Sequence, residues 1–364
     1  MSKGKTIGFK PDYAVPPGEI LKEELGARGM SQAELAERTG LARKTLNEII
    51  KGKAPITPDT ALKLERVFSL PAQFWMNLEQ RFQETTARLA ERERLQADVA
   101  WLKRLPLKQM IQRGWITPYP DKVAQLNELL RFFGVASVAQ WEVFWRGRTV
   151  AYRRSSAFES HPEAVSAWLR QGELEAQKIP CAPYDLRAFR TALEGIRDLS
   201  RKAPEIFVPE LTRRCAAVGV AVAFVPELPK APISGATRWL HKDKALIQLS
   251  LRYKTDDHLW FTFFHEAGHV LLHGKKEIFL ESGDGLDGDK EAEANAFAER
   301  TLIPTAALAN LAARRPLSKA AIQRFANEHG IAPGIVVGQL QYRRLLPYTH
   351  CNELKRKLRW VSEA

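Results

Sequence analysis

The five residues HEAGH at positions 265–269 constrain this chain more than any other feature. They lie inside an apolar run, DDHLWFTFFHEAGHVLLH, that only a largely buried helix accommodates. Thr255 stands before it as an N-cap residue and Gly274 after it as a stop. Residues four apart on a helix share a face, so His265 and His269 can offer two imidazole nitrogens to one ion at about 2.0–2.1 Å. Glu266 lies beside them. From there its carboxylate can take a proton from a water that the ion has acidified and later deliver it to a leaving amine.

Two histidines do not complete a tetrahedral site, and a catalytic zinc needs a third protein ligand and an open position. His273 continues the row, but three histidines strung along two turns span about 12 Å, too far to converge on one ion. The expected third ligand is a carboxylate from the next helix, EAEANAFAERTL, which stops at Pro304. Glu291 and Asn295 are four apart there. Glu291 is the candidate ligand, Asn295 a support for one imidazole, and Glu293, on another face, the reserve. His258, Arg252, Tyr253 and His241 all fall near the site in sequence and could polarise a scissile carbonyl, with His258, in the first turn of the histidine-bearing helix, slightly preferred. Between the two helices, ESGDGLDGDK reads as a mobile loop.

Upstream, GVAVAFVPE, GATRWL and KALIQLSLRY are β-rich runs bounded by Pro, Gly and an Asp/Lys turn, which predicts a small antiparallel sheet. Together, LSLRYKTDDHLWFTFFHEAGHVLLH and EAEANAFAERTLIP resemble the ImmA/IrrE metallopeptidase family over residues 208–305. That resemblance implies a gluzincin-like fold with His265, His269 and Glu291 as zinc ligands and Glu266 as general base. It also implies cleavage of a transcriptional repressor, often one with a helix-turn-helix domain.

The N-terminal part has a different character. Residues 16–78 show five short helical patterns, with a capping box at Ser31 and Glu34 and an N-cap plus proline at Thr57 and Pro58. Within SQAELAERTGLARKTLNEIIKGK, Ala36 permits close helix approach, Gly40 makes the turn, and Leu35, Leu46 and Ile49 hold the pair. Arg43, Lys44, Thr45 and Asn47 are groove-reading residue types, Lys51 and Lys53 suit phosphates, and Gln32 joins them as a candidate DNA contact. The formal net charge of +13 points the same way, toward a polyanionic partner. From PPGEILKEELGARGMSQAELAERTG to TPDTALKLERVFSLPAQFWMNLEQRF the module is similar to HigA-type antitoxins of the XRE repressor family. The resemblance implies homodimers on a palindromic double-stranded operator and a toxin as a further partner.

The expected architecture is mainly α with an α+β C-terminal part: a helix-turn-helix domain at 1–80, a helical connector at 81–207 rich in tryptophan, and a zincin-like domain at 208–364. The connector is expected to open on a solvated helix running to about Leu105. Three widely separated cysteines (Cys181, Cys215, Cys351) exclude a disulfide scaffold. With no signal-peptide core and no apolar run of about 18 residues, a cytoplasmic protein without a membrane partner is expected. The function expected is a DNA-binding regulator fused to a zinc endopeptidase that acts on a repressor, a toxin partner or itself. The competing reading is an antitoxin whose C-terminal domain senses a ligand or binds a toxin without proteolysis.

Overall fold

The computed structural model describes residues 13–146, 161–274, 279–281, 288–314 and 317–360. The chain is mainly helical with a small sheet in its C-terminal part. Its contacts divide it into two units, residues 1–99 with 121–123, and residues 100–120 with 124–364. Residues 282–287 of the ESGDGLDGDK segment lie outside the described residues.

The first unit holds α1 (Pro17–Ala27), α2 (Gln32–Thr39), α3 (Arg43–Ile50), α4 (Pro58–Phe68) and α5 (Ala72–Asp98). The Ser31 hydroxyl accepts the Glu34 N–H at 3.1 Å, while the Glu34 carboxylate turns to Arg38 at 2.6 Å, so the capping box is half used. Thr57 accepts the Thr60 N–H at 3.3 Å, with Pro58 in the first turn. Leu21, Leu35, Leu46, Ile49, Leu64 and Trp75 form the core. Gly18 has no room for a side chain, because a Cβ there would meet the Ile49 and Ile50 backbone, and α1 thereby lies directly on the end of α3. Past Glu79, only Leu95 is buried along α5, the pattern of a solvated helix. The α-helix ends at Asp98, short of Leu105, and passes into a 3₁₀ stretch, Val99–Arg104, that buries Trp101 and Leu102.

The second unit begins with α6 (Leu107–Gln112), α7 (Lys122–Phe133), α8 (Val138–Trp141), α9 (Pro162–Lys178), α10 (Leu186–Ile196) and α11 (Pro204–Ala216). It continues through β1 (Val220–Phe224), β2 (Gly235–His241), β3 (Lys244–Leu249), α12 (Asp256–Leu272), β4 (Phe279–Glu281) and α13 (Asp289–Leu302). The last helices are α14 (Thr305–Ala313), α15 (Lys319–Glu328) and α16 (Pro333–Tyr342). The sheet order is β1-β3-β2-β4. It is mixed, where sequence alone predicted antiparallel: β3 pairs antiparallel with β2 but parallel with β1, Val222 opposite Ile247. The Lys242-Asp243 turn forces β2 and β3 into a hairpin, whereas the proline-rich stretch 225–234 is long enough to carry the chain across before β2 begins. The unbroken apolar β1, VAVAF, fits a strand covered on both faces.

One sheet face, with Val220, Val222, Ile247 and Leu249, packs on Trp260, Phe263 and Phe264 of α12. The other is covered by α9, which lies within the stretch expected as a connector. The Trp168 indole N–H donates to the Val225 carbonyl at 3.1 Å, and the Gln248 side-chain N–H donates to the Trp168 carbonyl at 2.7 Å. The start of α12 is fixed by acids rather than by its cap: Thr255 makes no side-chain capping bond. Asp256 accepts backbone N–H groups of Arg356 and Asp257 at 2.9 and 3.0 Å, and Asp257 pairs with Lys355 at 2.7 Å. Gly334 and Gly338 let α16 close over both carboxylates.

Burial, and then the charge of Asp257, push the Asp256 carboxyl up to about 6. The folded state therefore holds a proton that the unfolded chain, with an ordinary carboxyl near 3.9, has lost, and stability falls as pH rises through about 4 to 6. Asp256→Asn keeps the acceptor oxygen and removes the charge. It is expected to raise stability by about 1–3 kcal/mol at pH 7.5 and to give no gain at pH 4, read from urea unfolding at both pH values.

Candidate functional site

The buried α12 presents two different rows of side chains. On one, Nε2 of His265 and Nε2 of His269 lie 3.0 Å apart. Oε2 of Glu291, from α13, stands 3.2 Å from the first and 3.5 Å from the second. These are the ligand atoms of a three-residue group able to hold a metal ion, all within 4.8 Å of one another. The approach of α13 depends on Gly268, where a Cβ would sit 3.2 Å from both the Ala294 Cα and the Phe297 ring. Asn295, one turn past Glu291, places its Oδ1 2.9 Å from Nδ1 of His265. A carbonyl oxygen only accepts, so His265 donates from Nδ1 and turns a bare Nε2 toward the cluster.

Burial holds the His269 imidazole down at about 4, so it is neutral near pH 7. A bare imidazole nitrogen and a carboxylate oxygen facing one another repel unless a proton or a cation lies between them. The donor set, two nitrogens and one oxygen with the two histidines buried, fits a borderline divalent ion such as zinc.

Glu266 belongs to the second row, which faces the sheet. It is fully buried, and a Cβ on Gly235 would come within 2.6 Å of its Oε1 and 2.5 Å of the Thr262 methyl. The Thr237 hydroxyl donates to the Glu266 backbone carbonyl at 3.1 Å. Sequence reasoning missed Gly235, Thr237 and Gly268 as parts of this site, since their importance depends on which residues the sheet and α13 bring opposite α12.

His258 is not brought to the cluster. It lies two turns before His265, about 10 Å along the axis, stacked on Tyr253 with ring centroids 4.1 Å apart. The Arg252 guanidinium lies over the Tyr253 ring, 5.0 Å from its centroid, and donates to the Pro232 carbonyl at 2.6 Å. His273 and Glu293 lie outside the cluster as well, paired with each other at 3.2 Å.

In the first unit, Gly40 takes the left-handed conformation at φ 69° between α2 and α3, and Leu35, Ala36, Leu46 and Ile49 are buried between them. On the outer side, Gln32, Arg43, Lys44, Lys51 and Lys53 are exposed, and Thr45 and Asn47 are partly so.

Residues 21–75 match the family described as helix-turn-helix, and residues 216–337 the family described as IrrE N-terminal-like domain. The uncharacterized HTH-type transcriptional regulator YddM of Escherichia coli is 36% identical over 89 residues, which are 24% of this chain and 88% of that protein. Virulence-associated protein I of Dichelobacter nodosus is 43% identical over 67 residues, 18% of this chain and 62% of that protein. Among solved structures, the Pseudomonas aeruginosa antitoxin HigA with the higBA promoter is 36% identical, with 22% of this chain and 90% of that chain covered and a TM-score of 0.22. An addiction module antidote protein of the HigA family from Coxiella burnetii is 32% identical, over 29% of this chain and 98% of that chain, with a TM-score of 0.20. The chain belongs to the helix-turn-helix transcriptional regulators through its first unit. It joins to that module an IrrE-like, metallopeptidase-like domain.

Gly235→Ala is expected to cost about 1–3 kcal/mol in denaturant unfolding, because the new methyl overlaps Glu266 and Thr262. Gly26→Ala, with nothing within 4 Å of its Cβ, is the control and should be neutral or stabilising. Equal effects of the two would contradict the close packing of Glu266 under β2.

Proposed function

We propose that this chain is a cytoplasmic DNA-binding regulator fused to a zinc-dependent endopeptidase, which acts on a helix-turn-helix repressor, a bound toxin or the chain itself. The observation that carries the reading is the convergence of His265, His269 and Glu291 with Glu266 buried on the adjacent row of the same helix. Bound there, a zinc ion would act as a Lewis acid, polarising a peptide carbonyl and making a water acidic enough to lose its proton near neutral pH. Glu266 takes that proton and passes it to the leaving amine as the peptide bond breaks. Asn295 keeps the His265 ring turned so that its Nε2 faces the cluster. A zinc ion held by these three donors would have a fourth position for water, unlike a structural site closed by four protein ligands.

For DNA, α3 has the length and outer-face chemistry to enter a major groove. In this reading Arg43, Lys44, Thr45 and Asn47 meet base edges, Lys51 and Lys53 meet phosphates, and Gln32 at the start of α2 is a further DNA contact. A homodimer would match the two-fold symmetry of a palindromic operator. Fusion gives the peptidase a high effective concentration toward anything the DNA-binding unit holds, which is why a repressor on the same operator, or a toxin, heads the substrate classes.

Two measurements test this reading. In cells, Glu266→Gln should retain bound zinc while abolishing new protein termini that appear with the wild type, a loss of at least about 100-fold. Identical sets of termini in both strains would favour a sensor without proteolysis. On DNA, Arg43→Ala is expected to cost about 1–3 kcal/mol on the cognate operator and relax base preference. Lys53→Ala should weaken all duplexes alike and lower the salt slope by about one. Equal affinity of the wild type for operator and random duplex would remove the repressor reading.

A further inference from the structure

The row of α12 that carries Glu266 continues backward through Thr262 to His258, at steps of four residues. The point where a Gly235 Cβ would sit is 2.5 Å from the Thr262 methyl and 2.6 Å from Oε1 of Glu266, so these two side chains are near neighbours. Between Thr262 and His258 the row lines an open cleft of about 210 Å³. Three of its lining residues are buried and carry hydroxyls, Ser234, Ser250 and Thr262. Three others bring positive or N–H-donating groups to the surface, Arg252, Lys254 and His258. None of the described residues lining the cleft is an acid. The acids next to it in sequence, Asp256 and Asp257, are engaged instead by the Arg356 N–H and by Lys355.

The rim of the cleft is fixed in place. The Arg252 N–H donates to the Ser250 hydroxyl at 3.3 Å and its guanidinium to the Pro232 carbonyl at 2.6 Å. That guanidinium lies over the Tyr253 ring, which stacks in turn on His258. A long cationic side chain held this way has less freedom to lose when a ligand arrives. Its planar fork of five donors can serve a carboxylate as well as a carbonyl. Along the helix axis, Thr262 is about 6 Å and His258 about 12 Å from Glu266. An extended peptide covers about 3.3–3.6 Å per residue, so the cleft lies two or three residues from a bond cut beside Glu266.

We propose that Arg252, Lys254 and His258 form a specificity site that takes the side-chain carboxylate of an aspartate or glutamate two or three residues from the scissile bond. The inference rests on the metallopeptidase reading and adds to it a substrate class, peptide segments that carry an acid at that spacing. It gives His258 and Arg252 work other than polarising the scissile carbonyl, which His258 stands too far from the cluster to do. If the Arg252–Tyr253–His258 stack only fastened its loop to α12, the three residues would have no influence on which peptides are cut.

The test gives the full-length, zinc-loaded protein two random peptide libraries, one with amidated and one with free C-termini, and reads the cut sites by mass spectrometry. For matched peptides with aspartate or asparagine at the stated spacing, the wild type should favour aspartate by about tenfold, the worth of one hydrogen bond to a charged group. His258→Gln should lower that ratio and Arg252→Gln should bring it close to one. Arg252→Glu should turn the preference to lysine or arginine at the same position, a gain that misfolding does not imitate. A ratio that none of these variants changes would overturn the proposal. So would cutting confined to peptides with a free C-terminus, which would assign the cleft to a chain end. If the wild type cuts no peptide, the metallopeptidase reading fails, and binding decides the cleft by itself. N-acetyl-aspartyl amide should then shift the His258 ring resonances in NMR spectra of the wild type and leave them unmoved in Arg252→Gln, and no shift in the wild type would overturn the proposal.

Discussion

The packing of α12 on two sides at once is the constraint on which the second unit depends. Its Trp260, Phe263 and Phe264 fill the core against the sheet, and Gly268 lets α13 approach on another side. Neither contact tolerates much adjustment, since protein interiors are packed as densely as organic crystals. The chemistry follows from this placement. The α13 contact sets Glu291 against the two histidines, and the missing side chain at Gly235 leaves room for the Glu266 carboxylate under β2. A helix free to rotate or slide could keep its HEAGH residues and still lose the site.

The electrostatics are arranged around the same helix. Its first turn carries two buried carboxylates, Asp256 and Asp257; Lys355 pairs with the second, and the segment from Lys355 to Arg356 covers both. Further along, burial keeps His269 uncharged. The cluster is thus prepared to receive a cation rather than protons at neutral pH. Among the described residues no helix is long and apolar enough to cross a membrane.

Local signals were the legible ones. The caps at Ser31 and Thr57, the left-handed Gly40 and the amphipathic faces of α2 and α3 are written within a few residues of each other, and the helix-turn-helix follows from them. The histidine pair on α12 is legible for the same reason, being one helix turn apart. Long-range relations were not. The parallel pairing of β1 with β3 depends on where a proline-rich stretch delivers the chain. Whether Glu291 or Glu293 meets the histidines depends on which face of α13 lies against Gly268, since residues two apart on a helix point some 200° apart. Buried polar groups such as Glu79, which accepts the Ile56 N–H at 2.9 Å, read as surface residues until their partner is in view. His258 shares a face of α12 with His265, but the seven-residue step between them is two full turns, which holds it away from the cluster.

Elemental analysis of the purified full-length protein, beside His265→Ala and Glu266→Gln, tests the central claim most directly. If the cluster is a peptidase metal centre, the wild type and Glu266→Gln hold about one zinc per chain and His265→Ala holds little or none, because one imidazole and one carboxylate do not retain the ion. A wild type without zinc, or a His265→Ala variant with full occupancy, would contradict the account.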